Sequence, residues 1–152
     1  MIAQPVYYVL AADLLAAPVN VCVPSGNFGN VFSGWIARRM GASIDQLVVA
    51  SNANDILERF INHDDMSTAP VVPSLSPSMD IQVSSNFELL MFDLFDRNGA
   101  AVGAAMAQFR AEGRLSFDAG SLQRARALFD GFRLDDEGTI AAMRAIYEET
   151  GQ

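Results

Sequence analysis

Between Val19 and Gly41 the chain carries a strand run, a glycine loop and an amphipathic helix in direct succession, and that order restricts the fold more than any other feature. Val19-Asn20-Val21-Cys22-Val23-Pro24 is short, apolar, β-branched and stopped by proline, the pattern of a buried strand. The following helix places Val31, Phe32, Trp35, Ile36 and Met40 on one side, with Gly41 positioned to cap it. Gln46-Leu47-Val48-Val49-Ala50 repeats the buried-strand pattern soon after. Strand, helix and strand with short connections form a βαβ unit, whose strands pair in parallel through a right-handed crossover. The class is therefore α/β with a small, mostly parallel sheet.

The loop Ser25-Gly26-Asn27-Phe28-Gly29-Asn30 falls at the carboxyl end of the first strand, the rim where open α/β sheets bind ligands. The first N–H groups of a helix have no internal partners, and the helix dipole favours negative charge there. Glycines let the backbone come close to an anion, and Asn27 and Asn30 add donors without adding charge. Two readings stay open at this point: a cup for a phosphate group, or a tight turn between strand and helix. Ser51-Asn52-Ala53-Asn54 occupies the same rim, with Asn54 read as the cap of a helix over Asp55 to Ile61.

Charge narrows the chemistry. The net charge of −8 argues against a nucleic-acid partner, which needs clustered cations. All ten cationic side chains are arginine, so no lysine is present to act as a Schiff base or general base. His63-Asp64-Asp65 holds the sole histidine, with no second histidine or cysteine nearby to complete a metal site, and reads as a solvated turn. With 152 residues, half of them hydrophobic, one domain with a real core is expected. No apolar run reaches membrane-spanning length and no leader pattern opens the chain, so the expectation is a cytoplasmic protein without a membrane partner. The single cysteine, Cys22, reads as a buried thiol.

The rest of the chain reads mainly as helix. Residues 2–16 become helical from Pro5 and are apolar nearly all round, with Tyr7 and Tyr8 in packing roles. Residues 67–80 form a proline-punctuated loop with a short extended piece at Val71-Val72. Ser85 and Glu88 have capping-box spacing ahead of a helix whose stripe is Phe87, Leu90, Met91, Leu94 and Phe95, and Asn98-Gly99 ends it. Residues 100–112 form a helix with Val102, Met106 and Phe109 on one face. Ser121 to Phe132 reads as another, with Leu122, Ala125, Leu128 and Phe129 inward. A last helix from Thr139 to Thr150 is expected to be buried through Ile140, Met143, Ile146 and Tyr147, with Asp136 and Glu137 at its favoured acidic start and Gly151 at its stop.

Three blocks in this order resemble threonine synthase: Ser25-Gly26-Asn27-Phe28-Gly29-Asn30, the run from Val49 to Leu57, and Ser76-Pro77-Ser78-Met79-Asp80-Ile81-Gln82-Val83-Ser84-Ser85-Asn86-Phe87-Glu88. The segment from Ile2 to Tyr8 resembles the helix that precedes them, so the likeness covers essentially the whole chain. The resemblance implies a three-layer α/β/α arrangement, part of the large domain of a fold-type II enzyme dependent on pyridoxal 5'-phosphate. It also implies the conversion of O-phospho-L-homoserine and water to L-threonine and phosphate. On the same ground Ser25, Gly26, Asn27, Phe28, Gly29 and Asn30 would hold the phosphate end of the cofactor. Departures from the family accompany the likeness. Its members are much longer and carry the cofactor lysine in an earlier motif, Asn30 stands where many have aspartate, and Leu89 where arginine is common. The resemblance thus implies an internal piece of such an enzyme, inactive alone and partnered by the remaining parts of the parent chain. The alternative is a non-catalytic module, derived from that domain, that binds an anion or a partner.

Overall fold

The computed structural model describes residues 3–151; Ile2, included above in the approach to the first helix, lies outside them. Helix α1 (Pro5–Leu15) opens on its proline and buries only Pro5, Tyr8 and Ala12. Strand β1 (Val19–Pro24) feeds the glycine loop and then α2 (Gly29–Arg39), and β2 (Ile44–Ser51) returns parallel to β1 with Val21 opposite Leu47 and Val23 opposite Val49. The expected βαβ unit is present. Gly34 lets α2 settle between its neighbours, because a Cβ there would lie 2.8 Å from both Leu47 Cδ2 and Tyr8 Cε1. On the expected apolar face Val31 is buried, while Met40 is 70% exposed.

Next come α3 (Ile56–His63), a short strand β3 (Met66–Ser67), a 3-10 turn (Pro77–Met79), α4 (Phe87–Leu94) and α5 (Gly99–Glu112). A two-residue β4 (Arg114–Leu115) pairs antiparallel with β3. Val71-Val72, expected as the extended piece of this region, is exposed and outside any strand; both main-chain groups of Val72 are taken by a side chain described below. The stripe of α4 is as expected, with Phe87, Leu90, Met91 and Leu94 buried. Asn98 caps α5, its Oδ1 accepting from Ala101 N–H at 3.1 Å, and Gly113 closes that helix at φ +65°.

The stretch from Ser121 to Phe132 corrects the helical expectation. It divides into α6 (Ala119–Arg126) and a third sheet strand, β5 (Phe129–Arg133). β5 lies parallel to β2, pairing Phe129 with Leu47 and Gly131 with Val49. The Leu122, Ala125, Leu128 and Phe129 spacing fits a helix, yet the open edge of β2 offers the backbone of Phe129–Arg133 a complete set of partners. Gly131 makes the docking possible: a Cβ there would stand 3.1 Å from Glu58 Cα on α3.

The sheet order β1-β2-β5 steps in one direction. Crossovers of one hand then leave their helices on one face. Leu47, Val49, Phe129 and Gly131 alternate onto the same side, and their contacts with α2 and α3 put both helices there. The chain thus supplies the sheet and one helical layer. Cys22, expected to be a buried thiol, is exposed, because alternation turns Asn20, Cys22 and Pro24 to the other face. Phe132 on that side is 50% exposed.

The final helix α7 (Asp136–Thr150) forms as expected, with Asp135 Oδ1 accepting from Gly138 N–H at 2.8 Å and Gly151 ending it in the left-handed conformation. Its expected burial is corrected. Ile140, Met143, Ile146 and Tyr147 are 39–66% exposed, for lack of an element packed on that stripe among the described residues. No helix among them is long and apolar enough to cross a membrane.

Candidate functional site

The glycine loop is anchored before it reaches the helix. Ser25 N–H donates to Ala50 C=O at 3.0 Å, and Ser25 Oγ accepts from Phe28 N–H at 3.1 Å, closing the turn. Phe28 takes φ +61°, a costly left-handed conformation for a bulky residue. Its ring holds it there, 1% exposed, with the Phe87 centroid 5.3 Å away edge-on and Phe129 at 5.5 Å. The side chains of Ser25 and Phe28 therefore build the loop. Gly26 is required by packing, since a Cβ would lie 3.0 Å from Met79 C=O.

Beyond this turn the backbone is free to bind. Among the described residues, the N–H groups of Gly26, Asn27, Gly29 and Asn30 have no acceptor. Those residues border a cleft of about 420 Å³ whose lining contains no carboxylate. Asn30 is held from α1: the Tyr8 hydroxyl shares its proton between the Asn30 backbone oxygen at 3.0 Å and Oδ1 at 3.1 Å. Burial pushes the Tyr8 hydroxyl up to about 12, so it stays a donor throughout the neutral range. The arrangement is one of converging neutral donors at a strand end and helix start, suited to an anion.

Two parts of the site were not visible in the motif. The first is Ser84-Ser85-Asn86, which closes one side of the loop. Asn27 Oδ1 accepts from both the N–H and the hydroxyl of Ser85 at 2.7 Å, Asn86 Nδ2 donates to Asn27 C=O at 3.0 Å, and Ser84 Oγ donates to Gly26 C=O. The capping-box reading of Ser85 with Glu88 is thereby corrected. The helix starts at Phe87 with Asn86 at the cap position and no side-chain cap, and the Ser85 hydroxyl turns to Asn27. Three short polar residues in a row, more than a cap requires, were the faint signal.

The second is the tie between the β2 rim and the proline-rich segment. Asn54 does not cap α3. Its side chain instead pairs with both main-chain groups of Val72, accepting from the N–H and donating to the C=O at 2.8 Å, as a strand would. The Asp80 carboxylate accepts from Asn52 Nδ2 at 2.7 Å, Asn54 Nδ2 at 3.0 Å, Ser74 Oγ at 2.6 Å and Ser74 N–H at 3.0 Å. The Ser74 hydroxyl foremost, then its N–H and the two asparagines, hold Asp80 below the usual carboxylate range. Asn52 and Asn54 occupy the rim as expected, but they serve this network.

His63 ends α3 and stays at the surface, its Nε2 3.6 Å from Glu58. Among the described residues no group of three or more His, Cys, Asp or Glu is arranged to hold a metal ion.

No family model matches the chain. A threonine synthase from Pseudomonas aeruginosa is 47% identical over 155 residues, spanning 100% of this chain and 33% of that protein. The crystal structure of pyridoxal-phosphate-bound threonine synthase from Brucella melitensis superposes with a TM-score of 0.93 at 39% identity, over 98% of this chain and 33% of the other. Threonine synthase from yeast gives 0.86 at 33% identity, over 96% and 32%. By sequence and by fold these residues belong to the threonine synthase family, over a span of about a third of the length of the relatives they match.

Proposed function

We propose that these residues form the phosphate-holding portion of a pyridoxal 5'-phosphate-dependent threonine synthase, which makes L-threonine and phosphate from O-phospho-L-homoserine and water. The observation that carries the reading is the set of unpaired N–H groups at Gly26, Asn27, Gly29 and Asn30, bordering a cleft without carboxylates. A phosphate monoester needs such a donor set, and the space is large enough to admit it. When bound, the cofactor supplies an electron sink for carbanion chemistry.

The chain's own residues bind and orient. The loop amides take the phosphate, and Ser25 and Phe28 keep those amides in place. Asn27 joins the loop to Ser84-Ser85-Asn86, so the cup is made by two chain segments tied to each other. With no lysine in the chain, the group that anchors the cofactor's aldehyde and the rest of the reaction centre come, on this reading, from the remaining parts of a full-length enzyme.

Gly29→Asp tests the cup. The carboxylate would sit in the first turn of α2, where it suits the helix dipole, but would oppose a bound phosphate. Calorimetric titration with pyridoxal 5'-phosphate should show binding to the chain and none to the variant, with both folded by circular dichroism. Equal affinities would overturn the assignment. The chain alone should not turn over O-phosphohomoserine.

A further inference from the structure

Two surfaces of the chain are apolar, exposed and opposite in charge. The first is a groove of about 330 Å³ between α2 and α4. Ile36, Met40, Leu89 and Phe92 line it, and Met40 at 70% and Phe92 at 42% exposure lack cover within the chain. One end of the groove is basic. Arg39, in the last turn of α2, and Arg97, just beyond α4, share Asp93 at 3.0 and 4.0 Å, and Arg124 lies in the adjoining cleft with Asp96. Three arginines against two aspartates make a local excess of positive charge in a chain whose net charge is −8. The second surface is the exposed stripe of α7. Ile140, Met143 and Tyr147 have the i, i+3, i+7 spacing with which an amphipathic helix anchors in a groove. Glu148 and Glu149 follow at the carboxyl end, where the helix dipole adds to their charge, and Arg144 is the only cation of the helix.

We infer that α7 of one copy docks in the α2–α4 groove of a second copy, with Glu148 and Glu149 at the arginine end. The lengths match: the stripe from Ile140 to Tyr147 rises about 10 Å, and the eight residues of α4 rise about 12 Å. Each copy offers both a stripe and a groove, so the exchange is reciprocal and closes as a two-fold pair. The uncovered sheet face is a poorer seat for this helix. Alternation puts Val48, Ala50, Asp130 and Phe132 there, an apolar surface with a carboxylate and no arginine to meet the acidic end. Because the contact joins copies, it disappears on dilution and leaves the unfolding of the single chain unchanged. Nothing in it depends on the phosphate cup.

Sedimentation velocity over a series of chain concentrations tests the docking. The parent should pass from single chain to pair as concentration rises. Glu148→Arg with Glu149→Arg makes the helix end basic, and Arg39→Glu with Arg97→Glu makes the groove end acidic. Each double variant should stay single at concentrations where the parent pairs. An equimolar mixture of the two should pair, because the basic helix end meets the acidic groove while the native helix meets the native groove. Met143→Gln and Phe92→Gln, which change no charge, should each weaken pairing by about tenfold. A parent that stays single at every concentration would overturn the docking, as would double variants that pair alone. So would a mixture that fails to pair although both variants are folded by circular dichroism. Parent-like pairing by both Met143→Gln and Phe92→Gln would overturn it too, whether or not the charge variants fold.

Discussion

Phe28 shows how one residue can be costly locally and necessary globally. Its backbone lies at φ +61°, where glycine would be at ease, yet a glycine would leave the space between Phe87 and Phe129 empty. The buried ring outweighs the strained backbone and fixes the loop against the core. Phe28→Ala should therefore destabilise the chain by about 3–5 kcal/mol in urea unfolding and also lower its affinity for pyridoxal 5'-phosphate. A variant that lost the stability and kept full affinity would show that the loop holds its shape without this anchor. Asn27 works at the same scale. Its motif position suggests a ligand, but its side-chain oxygen is already occupied by Ser85, which leaves the Asn27 backbone N–H as its contribution to the cup.

Among the elements, the segment from residue 68 to residue 86 is the least regular, and its only assigned element is the 3-10 turn. Side chains hold it. Asn52 and Asn54 at the end of β2 meet Asp80, and the segment continues directly into Ser84-Ser85-Asn86 on the loop. A lowered carboxylate contributes stability that is present above its ordinary range and is lost as pH falls through the lowered value. Asp80 therefore keeps the segment seated at neutral pH and releases it only on strong acidification. Asp80→Asn replaces one carboxylate oxygen by a donor facing other donors. Hydrogen exchange at Ser84–Phe87 should accelerate in this variant at neutral pH, with β2 amides unchanged; uniform acceleration across both would mean that Asp80 supports the whole fold.

Over the molecule as a whole, burial is one-sided. Helices α2 and α3 cover one face of the sheet, whereas Leu14 at 83% and Met143 at 66% exposure stand on helices whose apolar stripes have no cover among the described residues. Exposed apolar side chains add little to stability, so Leu14→Gln and Met143→Gln should each change the unfolding free energy by less than about 0.5 kcal/mol. Leu90→Ala, at a site 1% exposed, should cost about 2–5 kcal/mol in the same urea titration. A large loss from Met143→Gln would reveal packing on α7 in solution.

Much of this architecture was legible from local pattern. The β1–loop–α2–β2 unit, the α4 stripe and the Gly151 stop each depend on residues close in sequence, where steric preference and hydrophobic period act directly. The Ser25–Asn30 loop was equally visible as a strand-to-helix glycine turn, and its family likeness pointed to phosphate. Tertiary structure decided the rest, because the competing local choices were nearly equal in energy. Phe129–Arg133 became a strand when β2, far back in the chain, offered it an edge. Ser85 and Asn54 gave up helix capping for Asn27 and Val72, partners far away in sequence. Cys22 stayed exposed because crossovers stepping in one direction cover one face of a sheet, and the α7 stripe because no element among the described residues packs on it. Periodicity reports which side chains would gain from burial, and only the assembled chain determines which of them find a surface to meet.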